Sequence, residues 1–165
     1  MPRYRRRSSR VLLIDAQARV LLFHHLGNAA TGRPARWITP GGGRRRWESA
    51  AGAAARELRE ETGLRVRPAA LGRLVAFTEG YDLVGGVTGL IRNDYFLHRV
   101  TTHTVDTSRF TEHERRHMAV HRWWPVTELS EAADGIVPAD LPELLDRLLA
   151  GWRPAQPVRL PWLPG

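Results

Sequence analysis

The chain has 165 residues, 42% of them hydrophobic and 25% charged, which is the composition of a single globular domain with a core. It has no cysteine, which excludes disulfides, thiolate metal sites and cysteine nucleophiles, and no apolar run approaches the roughly 20 residues that span a bilayer. The net charge of +8 comes from arginine alone, since the chain has no lysine, and it favours anionic partners such as nucleotides or RNA. We therefore expect a cytoplasmic protein with no membrane association.

The N-terminal part of the chain combines a basic segment with short apolar runs. Residues 1–9 are predicted to be a flexible basic leader, either a solvated tail, which we favour, or an arm for nucleic acid. The apolar runs at residues 10–15 and 20–24 predict two strands joined as a hairpin. Residues 26–35 contain Gly, Asn, Thr and Pro and predict a loop, after which residues 37–39 form a short strand.

The second half of the chain predicts further strands and a closing helix. Strand patterns occur at residues 64–66, 71–78, 89–100 and 119–126. Glycine-rich and polar stretches predict a turn at 79–86, a loop at 101–118 and a short helical turn at 127–133. Residues 140–152 predict an amphipathic helix, and the four prolines of residues 153–165 predict an extended C-terminal tail. One domain, residues 10–152, is expected between the leader and the tail.

The most informative segment is a glycine-rich loop followed by a helix at residues 49–62. Ser49 is a good N-cap and Gly63 suits a left-handed residue after the helix. Strands on both sides of this helix, with a second helix at the end, predict an α/β fold with a mixed sheet in the middle.

Three glutamates of this helix lie on one face. Glu57, Glu60 and Glu61 are spaced i, i+3 and i+4, and like charges at that spacing destabilise a helix unless they are neutralised. One interpretation is a solvated acidic face partly offset by Arg56 and Arg59. The other is a site for Mg²⁺ or Mn²⁺, which take oxygen ligands.

The glycines and the acid before the helix favour the second interpretation. The pattern G-x5-E-x7-R-E-U-x-E-E-x-G-U, in which U is a bulky aliphatic residue, is matched at every fixed position. These positions are Gly42, Glu48, Arg56, Glu57, Leu58, Glu60, Glu61, Gly63 and Leu64. This is the Nudix box, and the chain resembles a Nudix hydrolase. The resemblance covers roughly residues 10–151 and implies an α/β/α sandwich with a central mixed sheet.

The resemblance also implies roles for residues of the box. Glu57, Glu60 and Glu61 would be metal ligands, with the backbone carbonyl of Gly41 as a further one. Among the other box residues, Glu48 would support the loop and helix, Arg56 would orient a neighbouring carboxylate, and Gly42 and Gly43 would permit tight turns beside phosphate. The metal would neutralise phosphate oxygens and lower the pKa of a bound water.

The general base is less well indicated than the metal ligands. Glu112 and Glu114 lie in the polar segment before a strand, where some family members carry the base, although each is also compatible with a solvated loop charge. The seven histidines show no metal-ligand spacing, and His24, His25, His113 and His117 are expected to be surface or packed side chains.

The loop itself departs from the usual family composition. The run from Arg44 to Trp47 replaces the acid, proline and glycine common there. Arg44 and Arg46 could bind extra phosphates of the substrate or lie in solvent, and Trp47 could stack on a base or pack under the loop. Three further aromatic residues are candidates for base stacking: Phe77, Tyr81 and Phe110.

The expected activity is metal-dependent hydrolysis of a pyrophosphate linkage in a small nucleoside diphosphate derivative. Nucleoside triphosphates, nucleotide sugars such as ADP-ribose and dinucleoside polyphosphates are all candidates. The alternatives are removal of pyrophosphate from RNA 5′ ends and a non-catalytic module that senses nucleotides. The protein is expected to be a monomer or a homodimer.

Overall fold

The computed structural model describes residues 2–84, 86–118 and 120–163. The strands of these residues are β1 Arg6–Ile14, β2 Arg19–His25, β3 Arg36–Ile38, β4 Gly41–Gly43, β5 Leu74–Val84, β6 Val87–Arg99, β7 Val120–Pro125, β8 Ile136–Val137 and β9 Val158–Leu160. The α-helices are α1 Ala50–Thr62, α2 Glu112–His117 and α3 Leu141–Leu149, and short 3-10 helices occupy Ala29–Thr31, Pro68–Leu71 and Val126–Glu131. None of the described helices is long and apolar enough to span a bilayer.

The described strands form one mixed sheet, as the sequence predicts. Its order is β8-β3-β2-β1-β6-β5-β9, with β4 added to β1 and β7 added to β2. The central pair β1 and β6 is parallel, whereas β1 and β2 form the predicted antiparallel hairpin. The two edge strands, β8 and β9, each pair in parallel with their neighbours.

The sheet has a hydrophobic core on each face, because side chains alternate along the central strand β1. Leu12 and Ile14 contribute to one core, which α3 covers with Leu141, Leu144, Leu145 and Leu148. Val11 and Leu13 contribute to the other core, which α1 covers with Ala54, Ala55 and Leu58. The predicted α/β/α sandwich with a central mixed sheet is confirmed.

Helix α1 begins and ends close to where the sequence predicts. The Ser49 side chain accepts a hydrogen bond from the Gly52 amide at 2.9 Å. Gly63 has φ 75° and its amide donates to the Arg59 carbonyl, so it ends the helix in the left-handed conformation. These local signals fix the direction in which the glutamates of α1 project.

Both chain ends differ from prediction. Residues 6–9 are not a flexible leader: they begin strand β1 and pair with β6 from the Arg6–Ile91 register onward. Arg6 and Arg7 are exposed, whereas Ser8 and Ser9 are buried, and the charge of the segment obscures this burial in the sequence. The C-terminal tail is extended as expected, but it adds β9 in parallel to β5.

Three internal segments also differ. Residues 64–66 are not a strand, and residues 79–84 continue β5 instead of turning, because β5 and β6 form a long hairpin. The predicted loop 101–118 contains α2, which begins with a capping box: the Thr111 hydroxyl accepts from the Glu114 amide and the Glu114 carboxylate accepts from the Thr111 amide. This S/T-x-x-E signal was present in the sequence, and it orients Glu114.

Candidate active site

Three carboxylates meet beside the glycine loop. Glu57 and Glu61 of α1 and Glu114 of α2 each offer one oxygen, and these oxygens lie within 4.8 Å of one another. Glu57 and Glu61 are buried, with 7% and 3% of their surface exposed. We refer to Glu57, Glu61 and Glu114 as the carboxylate cluster. Three adjacent carboxylate oxygens are a donor set that a hard divalent cation prefers.

Glu61 is the most deeply buried member of the carboxylate cluster. Its Oε2 accepts a hydrogen bond from the Gly41 amide at 2.7 Å. Burial raises the pKa of Glu61 to about 8, and the neighbouring Glu57 and Glu114 add to this rise, whereas Arg10 and the Gly41 amide oppose it. Burial also raises the pKa of Glu57. Without a cation, Glu61 therefore retains its proton near neutral pH.

Arg56 connects the acidic residues of the loop and the helix. Its Nε and Nη2 donate to the two oxygens of Glu48 at 2.9 and 3.0 Å, which is a bidentate pair. Its Nη1 donates to Glu57 at 2.6 Å and to Glu60 at 3.0 Å, and Nη2 also donates to the Gly43 carbonyl. The bonds from Arg56 hold the pKa of Glu48 at about 2 and fix one oxygen of Glu57.

Glu60 occupies a different environment from Glu57 and Glu61. It lies outside the carboxylate cluster, with a side chain that is 31% exposed and paired with Arg56 and with Arg45 at 3.5 Å. The three glutamates predicted to bind metal together are therefore divided. Glu57 and Glu61 belong to the carboxylate cluster, Glu60 does not, and Glu114 is the third member.

The glycine loop brings its backbone against the carboxylates. Gly41 has φ 134°, and a Cβ there would lie 2.2 Å from the Ser9 carbonyl oxygen on β1. At Gly42 a Cβ would lie 2.7 Å from Oε1 of Glu57. The Gly41 carbonyl, expected to bind metal, instead accepts a hydrogen bond from Arg10 Nη1 at 2.8 Å. Glycines are required here because strand and helix approach the loop so closely.

A cavity of about 220 Å³ opens in front of the carboxylate cluster. Besides the cluster and the glycines of β4, its lining is basic or apolar, with Arg6, Arg10, His25, Ile38, His113, His117 and Met118. The lining thus has an acidic wall, the carboxylate cluster, and a basic wall, formed by Arg6, Arg10 and the histidines. A metal-bound phosphate would be complementary to both walls.

The basic residues that line this cavity could not be predicted from the sequence. Arg10 and His25 come from neighbouring strands β1 and β2, far from the box in sequence. The rings of His25 and His117 stack at 5.8 Å, and burial together with the charge of His117 lowers the pKa of His25. These histidines, expected to be surface or packed residues, line the cavity. Strand pairing places His25 there and helix α2 places His117, and no sequence spacing signals either position.

Several predicted site residues lie away from the cavity. Glu112 is 77% exposed and pairs with Arg116 one turn later, so it is not positioned as a base. Tyr81, on β5, is 68% exposed, and Trp47 is 92% exposed with the Arg46 guanidinium over its ring. Neither residue stacks or packs in the site, and Arg46 lies with Trp47 outside the cavity.

The remaining predicted residues have structural contacts. Arg44 donates to the Glu48 carbonyl at 2.9 Å and lies 3.9 Å from Asp94, so it supports the loop. Phe110 is buried against Phe23 at 5.7 Å in the core, and Phe77 lies under the Arg92 guanidinium. None of the three lines the cavity.

Comparison with known proteins identifies relatives of this arrangement. The NUDIX domain model matches residues 4–148, which is most of the chain. No curated protein matches the chain at a significant level. Solved structures with the same fold include the MutT protein from Methanosarcina mazei Go1, which is 19% identical with a TM-score of 0.62 over 88% of this chain and 93% of that one.

Two further structures come from E. coli. The ORF135 protein is 23% identical, with a TM-score of 0.57 over 92% of this chain and 94% of that one. The dihydroneopterin triphosphate pyrophosphohydrolase is 19% identical, with a TM-score of 0.61 over 92% of this chain and all of that one. At these identities the likeness concerns the fold.

Proposed function

Because the chain belongs to the NUDIX domain family, and is a pyrophosphohydrolase of that family, we propose that it hydrolyses a pyrophosphate linkage in a nucleoside diphosphate derivative. A nucleoside triphosphate, a nucleotide sugar such as ADP-ribose and a dinucleoside polyphosphate all contain this linkage. One protein of the same fold is by name a dihydroneopterin triphosphate pyrophosphohydrolase, which is compatible with such a substrate.

The observation that carries the proposal is the carboxylate cluster facing a basic wall. Its three oxygens lie within 4.8 Å of one another, a spacing that suits shared coordination of one cation. Burying several carboxylates side by side is costly unless a cation compensates them. We therefore assign Mg²⁺ or Mn²⁺ to Glu57, Glu61 and Glu114. In this proposal Glu60 acts as a partner of Arg56 and is not a ligand.

The bound cation would neutralise phosphate oxygens and acidify a water. The residues of the chain would supply orientation and charge. Arg56 holds Glu57 through a 2.6 Å bond, and the Gly41 amide holds Glu61 at 2.7 Å, so both carboxylates are fixed before substrate binds. Arg6 and Arg10, which line the same cavity, would pair with phosphate oxygens. The proton from water is expected to pass to a member of the carboxylate cluster.

The test is a substrate panel assayed with Mg²⁺ and with Mn²⁺, including 5′-triphosphorylated RNA. Glu61→Gln keeps the shape and the bond to Gly41 but removes a ligand charge, so turnover should fall by about 100-fold or more. Glu112→Gln, a matched change at a 77% exposed glutamate outside the site, should stay within about twofold of wild type.

If wild type hydrolyses no member of the panel above the Glu61→Gln background, the enzymatic proposal fails. A nucleotide that binds without being hydrolysed would then favour a sensing module. We also propose a cytoplasmic location, where nucleotide substrates of this class occur. Either a monomer or a homodimer is compatible with this function.

A further inference from the structure

A second cavity adjoins the active-site cavity. Its volume is about 210 Å³, and it shares Arg10, His25 and Ile38 with the first cavity. The other lining residues are Arg33, Pro34, Arg36, Val137 and Leu163. The carboxylate cluster does not line it, so this cavity lies beyond the place assigned to the metal and the scissile linkage.

The two edges of the curled sheet meet over this second cavity. Val137 comes from β8 at one edge, and Leu163 follows β9 at the other. The C-terminal segment reaches this position by extending along β5, where the Trp162 ring packs on Gly80. A Cβ at Gly80 would lie 2.1 Å from that ring, so glycine is required for the contact. The match to the NUDIX domain ends at residue 148, so Leu163 lies outside the matched residues.

The charge of the second cavity indicates its ligand. It contains three guanidinium groups, and none of the described residues that line it is acidic. Asp82, outside the lining, orients Arg33 through a 3.0 Å bond, and Arg33 also donates to the Leu83 carbonyl. The Nε of Arg36 is buried and has no hydrogen-bond partner among the described residues. That nitrogen is closed to solvent, so an anion in the cavity would meet the other two nitrogens of the guanidinium, whose planar fork matches phosphate.

We propose that the second cavity binds a phosphate group of the substrate outside the scissile linkage, and that the C-terminal segment around Leu163 forms the wall that selects for it. This inference rests on the proposed function. In this inference Arg36 and Arg10 bind the anion, and Leu163 excludes water from the bound anion. Substrates that carry a further phosphate would be preferred over those that end in a neutral group.

The test measures binding of inorganic pyrophosphate to the full chain by calorimetry, in EDTA and at constant ionic strength. EDTA removes metal-dependent binding at the carboxylate cluster, and substitution of Arg36 reports on the second cavity because Arg36 lines that cavity and not the first. Arg36→Gln should weaken binding by roughly tenfold or more, as expected when a charge-assisted hydrogen bond is lost. Arg67→Gln, at an exposed arginine outside both cavities, should leave binding within about twofold.

The role of the C-terminal wall is tested separately. Leu163→Asp introduces a negative charge at the cavity and should weaken pyrophosphate binding by roughly tenfold, whereas the uncharged Leu163→Asn should change it less than about threefold. Far-UV circular dichroism and thermal melting verify that each variant is folded. Equal affinities for the two Leu163 variants would overturn the assignment of the wall.

The remaining outcomes are equally decisive. Absence of pyrophosphate binding to wild type, or unchanged binding to Arg36→Gln, would overturn the anion site. Because no hydrolysis is involved, these results are independent of the Glu61→Gln assay. An enzyme that turns over its substrate but fails the binding test loses only this inference.

Discussion

Glu61 makes the stability of the metal-free protein depend on pH. Its pKa is about 8 in the folded protein because of burial, whereas an unfolded chain gives it an ordinary value near about 4.3. Between these values the folded state holds a proton that the unfolded state has released. The contribution of Glu61 to the free energy of unfolding is therefore greatest at low pH and decreases as the pH rises toward 8.

The size of this change in stability follows from the interval between the unfolded and folded pKa values of Glu61. Each pH unit inside it changes the free energy of unfolding by about 1.4 kcal/mol. From pH 5 to pH 8, the wild type should lose about 4 kcal/mol relative to Glu61→Gln, which cannot ionise and can still accept the Gly41 hydrogen bond. The comparison cancels the pH dependence of the groups that both proteins share.

Urea unfolding in EDTA at a series of pH values measures this difference. Saturating Mg²⁺ should stabilise wild type increasingly as pH rises, because the cation binds the deprotonated cluster, and should have little effect on Glu61→Gln. Glu112→Gln should follow the wild-type profile. If the free energy of unfolding varied with pH in the same way for wild type and Glu61→Gln, this prediction would be wrong. Glu61 would then have the same pKa in the folded and unfolded states.

Substitutions at three further residues test the site. Gly42→Ala would place a Cβ 2.7 Å from Glu57 Oε1 and should weaken Mn²⁺ binding, measured by calorimetry, by about tenfold or more. Arg56→Lys loses the bidentate bond to Glu48 and should lower kcat/KM by about 10- to 100-fold, with a stronger loss for Arg56→Ala. Trp47→Ala, at a 92% exposed side chain, should change unfolding free energy by less than about 0.5 kcal/mol and kcat/KM by less than about twofold; a larger loss of activity would restore the base-stacking hypothesis.

The fold could be predicted where its signals are local. Helix α1 has its cap at Ser49 and its end at Gly63, and both contacts occur in the structure. The apolar runs of β1 and β2 predicted a hairpin because they are short and close in sequence. Strand β9 could not be predicted, since a proline-rich edge segment pairs only if β5 is available beside it.

The site could be predicted within the box and, outside it, for Glu114, which the sequence indicated as a candidate base. The Gly42-to-Leu64 spacing located Glu57 and Glu61, because a helix fixes the relative positions of its side chains. Glu114 reaches them through the capping box of α2, more than 50 residues later in the chain. Arg10 reaches them because β1 carries the loop through its pairing with β4. Both contacts depend on tertiary packing that spacing does not encode.

The like charges on α1 are relieved in two different ways. Arg56 neutralises Glu48 and Glu60 within the chain, and its bond holds the pKa of Glu48 at about 2. Glu61 lies beyond that guanidinium, and its pKa of about 8 is that of a buried carboxylate without sufficient compensation. Glu57 accepts a hydrogen bond from Arg56 and also lies beside Glu61 and Glu114 in the carboxylate cluster. The helix thus carries one acidic group that Arg56 balances and one that the described residues leave uncompensated, and the second is where we propose that the cation binds.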